Sequence, residues 1–246
     1  MSRKVEFVVI GAQKAGTTAL FDHLGDDPRL NLSAVKETHF FDDETIDWSA
    51  PDYDRYHRHF DLTRPGPMGE ATPIYIFWPR SLERLAAYNP DAKLILMLRD
   101  PVERAFSHWQ MEYARGVETL SFAQAIRDGR RRLDGLADNH PARREFTYVE
   151  RGFYGAQVER LLTLFPRDQL LVLRADDLRR EPAGPLAAVS AFLGLAPLAD
   201  PVAPREVHAA RTFDYGSVLT DADRQHLEAI YAADQARLEV LTGIRF

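Results

Sequence analysis

The chain has 246 residues, of which 45% are hydrophobic and 28% are charged, so it can bury a full core as one domain. A formal net charge of −6 argues against a general nucleic-acid binder, because such proteins need a basic surface to displace counterions. The absence of cysteine excludes disulfides and thiolate zinc sites. No apolar stretch approaches the roughly 20 residues of a membrane helix, so we predict a soluble, cytoplasmic protein with one domain over residues 1–246.

Strands and helices are predicted to alternate along the chain. The run V-E-F-V-V-I at residues 5–10 predicts a buried strand that ends at Gly11, and residues 17–24 predict a helix. The later predicted elements are a helix over 81–88, a strand over 93–98, a helix from Pro101, a helix over 154–165, a strand over 169–173 and a helix over 220–241. This alternation predicts a three-layer α/β/α fold with a central parallel sheet.

The loop between the first strand and helix, residues 11–18, reads G-A-Q-K-A-G-T-T. Gly11 and Gly16 have the spacing of a P-loop, in which backbone N–H groups and a helix N-terminus cradle a phosphate. A Walker loop places lysine directly after the second glycine, but Thr17 stands there and Lys14 comes earlier. The pattern therefore predicts phosphate binding and argues against an ATPase or GTPase.

A second motif, L-R-D-P-V-E-R-A-F-S-H-W at residues 98–109, follows the predicted strand over 93–98. Arg99 stands at the strand end and Ser107 two helical turns further on. A guanidinium can form two parallel hydrogen bonds to phosphate, and a hydroxyl can donate one more. The alternative is an Arg-Asp pair that caps a helix, with Ser107 merely exposed.

These two motifs resemble the 5′-phosphosulfate loop and the 3′-phosphate motif of sulfotransferases that use 3′-phosphoadenosine 5′-phosphosulfate (PAPS). Two more segments, K-E-T-H-F-F-D at residues 36–42 and G-E-A-T-P-I-Y at residues 69–75, resemble the heparan sulfate N- and O-sulfotransferases. The resemblance implies a P-loop-like fold and transfer of a sulfuryl group from PAPS to a hydroxyl or amine, which releases PAP. The donor contacts that it implies are Gln13, Lys14, Ala15, Gly16, Thr17, Thr18, Arg99 and Ser107.

The resemblance also implies roles in catalysis. Glu37 matches the glutamate that serves as the base in the heparan sulfate enzymes, while Lys14 would stabilise charge on the departing oxygen. His39 is the rival base, because cytosolic sulfotransferases use a histidine. The remaining predicted acceptor-side contacts are Lys36, Glu70 and Tyr75.

One departure from the family concerns the clamp over the 3′-phosphate. The animal heparan sulfate enzymes close this site with a disulfide-bounded loop that carries K-G-R, whereas this chain has no cysteine and reads H-A-A-R-T at residues 208–212. We hypothesise that Arg211 replaces part of that clamp.

The acceptor is expected to be a glycan or another small molecule, with no nucleic acid, no membrane span and no metal involved. Two alternatives remain open, namely a nucleotide kinase-like phosphotransferase and a non-catalytic nucleotide- or glycan-binding module on the same fold. Only four of the 31 basic residues are lysine, which is compatible with a GC-rich bacterial genome. The sequence makes no prediction of oligomeric state.

Overall fold

The computed structural model describes residues 3–196 and 215–246, which divide into two compact units. Among these residues, the first unit comprises residues 3–98 and 161–196, and the second comprises residues 99–160 and 215–246. The phosphate loop and the 36–42 segment therefore belong to the first unit, while Arg99 and Ser107 belong to the second. Arg211 lies outside the described residues.

A parallel sheet forms the centre of the first unit. In the part of the chain that the structure describes, it has five strands in the order β2-β3-β1-β4-β5. The strands are β1 (Phe7–Gly11), β2 (Asn31–Leu32), β3 (Met68–Ala71), β4 (Lys93–Leu98) and β5 (Leu170–Arg174). Parallel pairing places the carboxyl ends of β1, β3 and β4 at one edge of the sheet, the edge at which α/β proteins commonly bind ligands.

Helices occupy most of the chain between and after the strands. They are α1 (Thr17–Gly25), α2 (Tyr53–His57), α3 (Ser81–Tyr88), α4 (Pro101–Ala114), α5 (Phe122–Ala125), α6 (Ala142–Phe146), α7 (Tyr154–Leu162), α8 (Ala175–Arg180), α9 (Ala183–Leu193) and α10 (Asp221–Thr242). Short 3-10 helices cover Asp128–Leu133, Glu150–Gly152 and Arg167–Gln169. No helix within the described ranges is long and apolar enough to cross a membrane.

The central strands have the composition that burial on both faces requires. All five residues of β1 and five of the six residues of β4 are buried. Strands covered by helices on both faces read as continuous apolar runs, which is why these two were visible in the sequence. The predicted α/β fold with a central parallel sheet and a P-loop-like loop is confirmed, and two short strands, β2 and β3, are added to it.

The second unit has a core of its own, built from aliphatic and aromatic residues of α4, α5 and α10 and of the segment after α6. Its largest buried members are Trp109, Phe122, Tyr148 and Tyr231. The helix α4 begins at Pro101, as predicted. The Asp100 carboxylate caps this helix by accepting a hydrogen bond of 2.8 Å from the Glu103 N–H.

Candidate active site

The loop after β1 turns sharply before α1 begins. Lys14 (φ 69°) and Gly16 (φ 82°) both have left-handed backbone conformations. The Ala15 N–H donates to the Ala12 carbonyl at 3.0 Å, and the Leu20 N–H makes the first helical bond to the Gly16 carbonyl at 3.1 Å. A larger residue at Gly11 would be overpacked, because a Cβ there would lie 2.4 Å from Ile76 Cγ2.

The start of α1 has the features of an anion site. The first N–H groups of a helix have no partner inside the helix, and Gly16, which occupies the N-cap position of α1, makes no side-chain cap to them. The first turn also contains no acidic residue that would repel an anion. By contrast, the start of α4 is capped by Asp100. The loop residues are therefore suited to an anionic group.

The other predicted loop contacts differ in their access to solvent. Ala15 and Thr17 are buried, and the Ala15 N–H is already bonded to the Ala12 carbonyl, so the N–H of Thr17 is the one of the two that is suited to binding. Gln13, Lys14 and Thr18 are partly exposed, and Gly16 is exposed. The loop at residues 11–18 thus contains one lysine and several backbone N–H groups close together in the chain.

The 36–42 segment is anchored to β3 and carries the predicted base. The Glu37 N–H donates to the Ala71 carbonyl at 2.9 Å. Glu37 (φ 64°) and His39 (φ 51°) are left-handed, and with Lys14 they are three of the four such non-glycine residues in the described chain. Each costs about 1 to 3 kcal/mol and persists only where the surroundings hold it. Such conformations concentrate at functional sites.

The Glu37 carboxylate lies between two cationic side chains. Lys36 Nζ donates to Glu37 Oε1, and His39 Nε2 lies 3.4 Å from Glu37 Oε2. Burial raises the pKa of Glu37, but the hydrogen bonds from His39 and Lys36 outweigh it and hold the pKa at about 2. The carboxylate is therefore ionised throughout the physiological range.

His39 is charged at neutral pH. Its Nδ1 lies 3.0 Å from Asp42 Oδ2, and that carboxylate is almost fully buried. The hydrogen bonds to Asp42 and then to Glu37 raise the pKa of His39 to about 9. An imidazolium has no lone pair for a proton. Asp42 was missed as a site residue, although its position three residues after His39 in the motif is a signal that could have found it.

Glu70 and Tyr75, predicted as acceptor contacts, lie fully buried beneath this segment. The Glu70 carboxylate accepts hydrogen bonds from the hydroxyls of Thr38, Tyr56, Thr72 and Tyr75. Burial raises the pKa of Glu70, and these four bonds act in the opposite direction. Glu70 and Tyr75 therefore contact other protein groups and present no surface to an acceptor.

In the second unit, Arg99 is partly exposed and faces an acidic side chain. Arg99 Nη2 lies 3.5 Å from Glu103 Oε2, and Arg224 of α10 bonds to the other oxygen of the same carboxylate. Arg224 Nη1 also lies 3.8 Å from Asp100 Oδ1. Ser107 is partly exposed on α4. Arg224 was missed because nothing in its local sequence marks it.

The comparisons with known proteins agree on one family. A family model described as "Sulfotransferase domain" matches residues 4–215. Heparan sulfate glucosamine 3-O-sulfotransferase 3B1 of Homo sapiens is 31% identical over 192 residues, which cover 76% of this chain and 45% of that protein. The "Membrane-associated sulfotransferase kil1" of Dictyostelium discoideum is 40% identical over 106 residues, covering 42% and 22%. The chain thus spans less than half the length of these curated relatives.

Solved structures give the same result. A crystal structure of a sulfotransferase from Alicyclobacillus acidocaldarius superposes with a TM-score of 0.81 at 31% identity, over 100% of this chain and 98% of that chain. Mouse sulfotransferase SULT7A1 complexed with PAP has a TM-score of 0.61 over 97% and 86% of the two chains, but at 12% identity it shares the fold alone. The family model and these relatives place the chain in the sulfotransferase family.

Proposed function

We propose that the protein transfers a sulfuryl group from PAPS to a hydroxyl or amine of a glycan or small-molecule acceptor. The observation that carries the proposal is the uncapped start of α1, which with Lys14 suits an anionic donor group, in a chain of this family. The family model runs through residues of both units, which supports one sulfotransferase domain over residues 1–246. It also disfavours a nucleotide kinase.

The first unit is proposed to bind the 5′ end of the donor. PAPS, when bound, supplies a sulfuryl group whose transfer breaks the bond between sulfur and the bridging oxygen. The N–H groups at residues 16–18 would hold the adjoining phosphate, and the Lys14 ammonium would stabilise negative charge on that oxygen. Gln13 is proposed to add one polar contact. None of these roles requires a metal.

The 3′-phosphate is proposed to bind Arg99 and Ser107 of the second unit. The Arg99 guanidinium can form two hydrogen bonds to phosphate, and the Ser107 hydroxyl can donate a third. Arg99 lies near the Glu103 carboxylate, so a bound phosphate would compete with Glu103 for its guanidinium. Arg211 remains a proposal based on the sequence alone.

Glu37 is proposed as the base that takes the acceptor proton. Its carboxylate is ionised at neutral pH, whereas His39 carries a proton on both ring nitrogens. His39 would then orient Glu37 and stay charged. A carboxylate with a pKa near 2 is a weak base in the free protein, so the proposed role requires the pKa of Glu37 to rise when the acceptor binds.

Sugar acceptors are favoured by the names of the relatives, several of which act on heparan sulfate. No nucleic acid is expected as a partner. Kil1 is named as membrane-associated, so the cytoplasmic location stays a prediction, as does the bacterial source.

The test is transfer of labelled sulfate from PAPS to a panel of glycans and small hydroxyl compounds. Lys14→Ala is expected to lower kcat by about 100- to 1,000-fold, the typical effect of removing one group that stabilises developing charge. The matched control is Lys4→Ala, an exposed lysine outside these motifs, which should retain activity. Glu37→Gln should abolish transfer while PAP still binds. PAP binding without transfer to any acceptor would instead indicate a non-catalytic binding module.

A further inference from the structure

The buried Glu70 carboxylate links β3 to the segment that carries Glu37 and His39. We propose that Glu70 and Tyr75 are positioning residues, which hold the 36–42 segment in its reactive conformation and act on the reaction only through Glu37 and His39. This inference rests on the proposed function, since it concerns the geometry of the proposed base.

Glu70 has no contact with solvent, and both of its carboxylate oxygens are hydrogen-bonded to hydroxyl groups. Oε2 accepts hydrogen bonds from Thr38 Oγ1 at 2.9 Å and Thr72 Oγ1 at 2.6 Å. Oε1 accepts from Tyr56 OH at 2.9 Å and Tyr75 OH at 3.1 Å. A polar side chain that is fully buried needs hydrogen-bond partners for both of its oxygens, and these four hydroxyl groups supply them.

Two of these four donors connect Glu70 to the catalytic segment. Thr38 lies between Glu37 and His39 in the chain, so its hydroxyl ties the centre of the segment to Glu70. The oxygen of Tyr75 also accepts hydrogen bonds from the backbone N–H groups of Phe40 at 3.1 Å and Phe41 at 3.3 Å.

The segment needs such external support. Glu37 and His39 both have positive φ, which side chains with a Cβ rarely adopt. Their conformations must therefore be held by bonds to other parts of the chain. Glu70 and Tyr75 supply these bonds on either side of His39, at Thr38 and at Phe40.

Tyr75 and Tyr56 form a matched pair for an experiment. Both are fully buried tyrosines that donate to the same atom, Glu70 Oε1, so Tyr75→Phe and Tyr56→Phe delete the same bond from Glu70. Only Tyr75 is also bonded to the 36–42 segment. Tyr75→Phe is expected to lower kcat about 10- to 100-fold more than Tyr56→Phe, because small misplacements of catalytic groups cost rates of that order. The affinity for PAP should be the same in both variants.

A second measurement does not depend on activity. The His39 ring can be titrated by NMR, with His39→Gln identifying its signal. We expect the pKa of His39 to fall from about 9 towards its ordinary value in Tyr75→Phe, because the ring loses its fixed position between two carboxylates. In Tyr56→Phe the pKa should stay near 9. If Tyr75→Phe does not fold, Thr38→Val gives the same test, with Thr38→Ser as the variant that keeps the hydroxyl and restores activity.

The outcomes separate this inference from the proposed function. If the wild-type protein transfers no sulfate, the proposed function fails, and the His39 titration still decides whether Tyr75 positions the segment. If the two tyrosine variants lose equal activity and keep the same pKa of His39, Glu70 and Tyr75 are merely structural and the inference is overturned.

Discussion

The charge on His39 can be removed by raising the pH, and the effect distinguishes a positioning imidazolium from a base. The pKa of His39 is about 9, because Asp42 and Glu37 both bond to its ring. A group with that pKa is about 99% protonated at pH 7 and about 10% protonated at pH 10. If the imidazolium is required, kcat/KM should be level from about pH 6 to 8 and fall roughly tenfold by pH 10.

The assay is initial-rate sulfate transfer over this pH range, with His39→Gln as the control that removes the titrating group. The variant should have a lower rate and should lack the fall attributed to His39. No acidic limb is expected above pH 4, because the pKa of Glu37 is about 2. A kcat/KM that rises through pH 9 would show that neutral His39 is the base, and the assignment of Glu37 would then be wrong.

The same groups affect stability with a definite sign. Because the pKa of His39 is raised in the folded state, His39 contributes fully to the free energy of unfolding below its ordinary pKa of about 6.5. This contribution is lost as the pH rises through about 9. The pKa of Glu37 is lowered, so its contribution is present above about 4.5 and is lost as the pH falls towards 2. Both side chains are more than a third exposed, so solvent screens these contributions.

Two further predictions concern the donor site. Glu103→Gln removes the carboxylate that pairs with Arg99 and Arg224 and that would compete with a bound phosphate. Because exposed ion pairs are worth about 0.2 to 1 kcal/mol, we expect PAP to bind up to about fivefold more tightly at low salt, as measured by calorimetry. Weaker binding would contradict the role of Arg99. Gly11→Ala should lower the free energy of unfolding by about 1 to 3 kcal/mol through overpacking. A Cβ added at Gly25 would meet nothing within 4 Å, so Gly25→Ala should not destabilise the protein. Equal decreases in the melting temperature of the two variants would refute this prediction.

Much of the fold was predictable because the central elements follow simple patterns. The predicted strand over 93–98 and helix over 81–88 have the bounds that the structure gives to β4 and α3. β3 was missed because M-G-E-A contains glycine and a charged residue and no β-branched one. Glu70 is tolerated there only because hydroxyl donors reach it, one of them from a residue 32 positions away.

The sequence predicted which segments form the candidate site but not the protonation states of its side chains. Sequence motifs selected Glu37 and His39 as rival bases, and the choice between them depends on Asp42 and on distances that only the folded chain fixes. Arg224 is 121 residues from Glu103, so no local pattern connects them. The sequence therefore located the chemistry, while its protonation states required three-dimensional contacts.

The left-handed backbone at Lys14, Glu37 and His39 also limits how this region can change by mutation. Valine, isoleucine and threonine are the side chains least compatible with positive φ, while glycine adopts it without steric cost. Replacing Glu37 or His39 with glycine would relieve the backbone and delete the functional group at once. Selection for heat resistance alone would therefore favour inactive descendants, and a directed-evolution campaign on this enzyme must screen for turnover in every round.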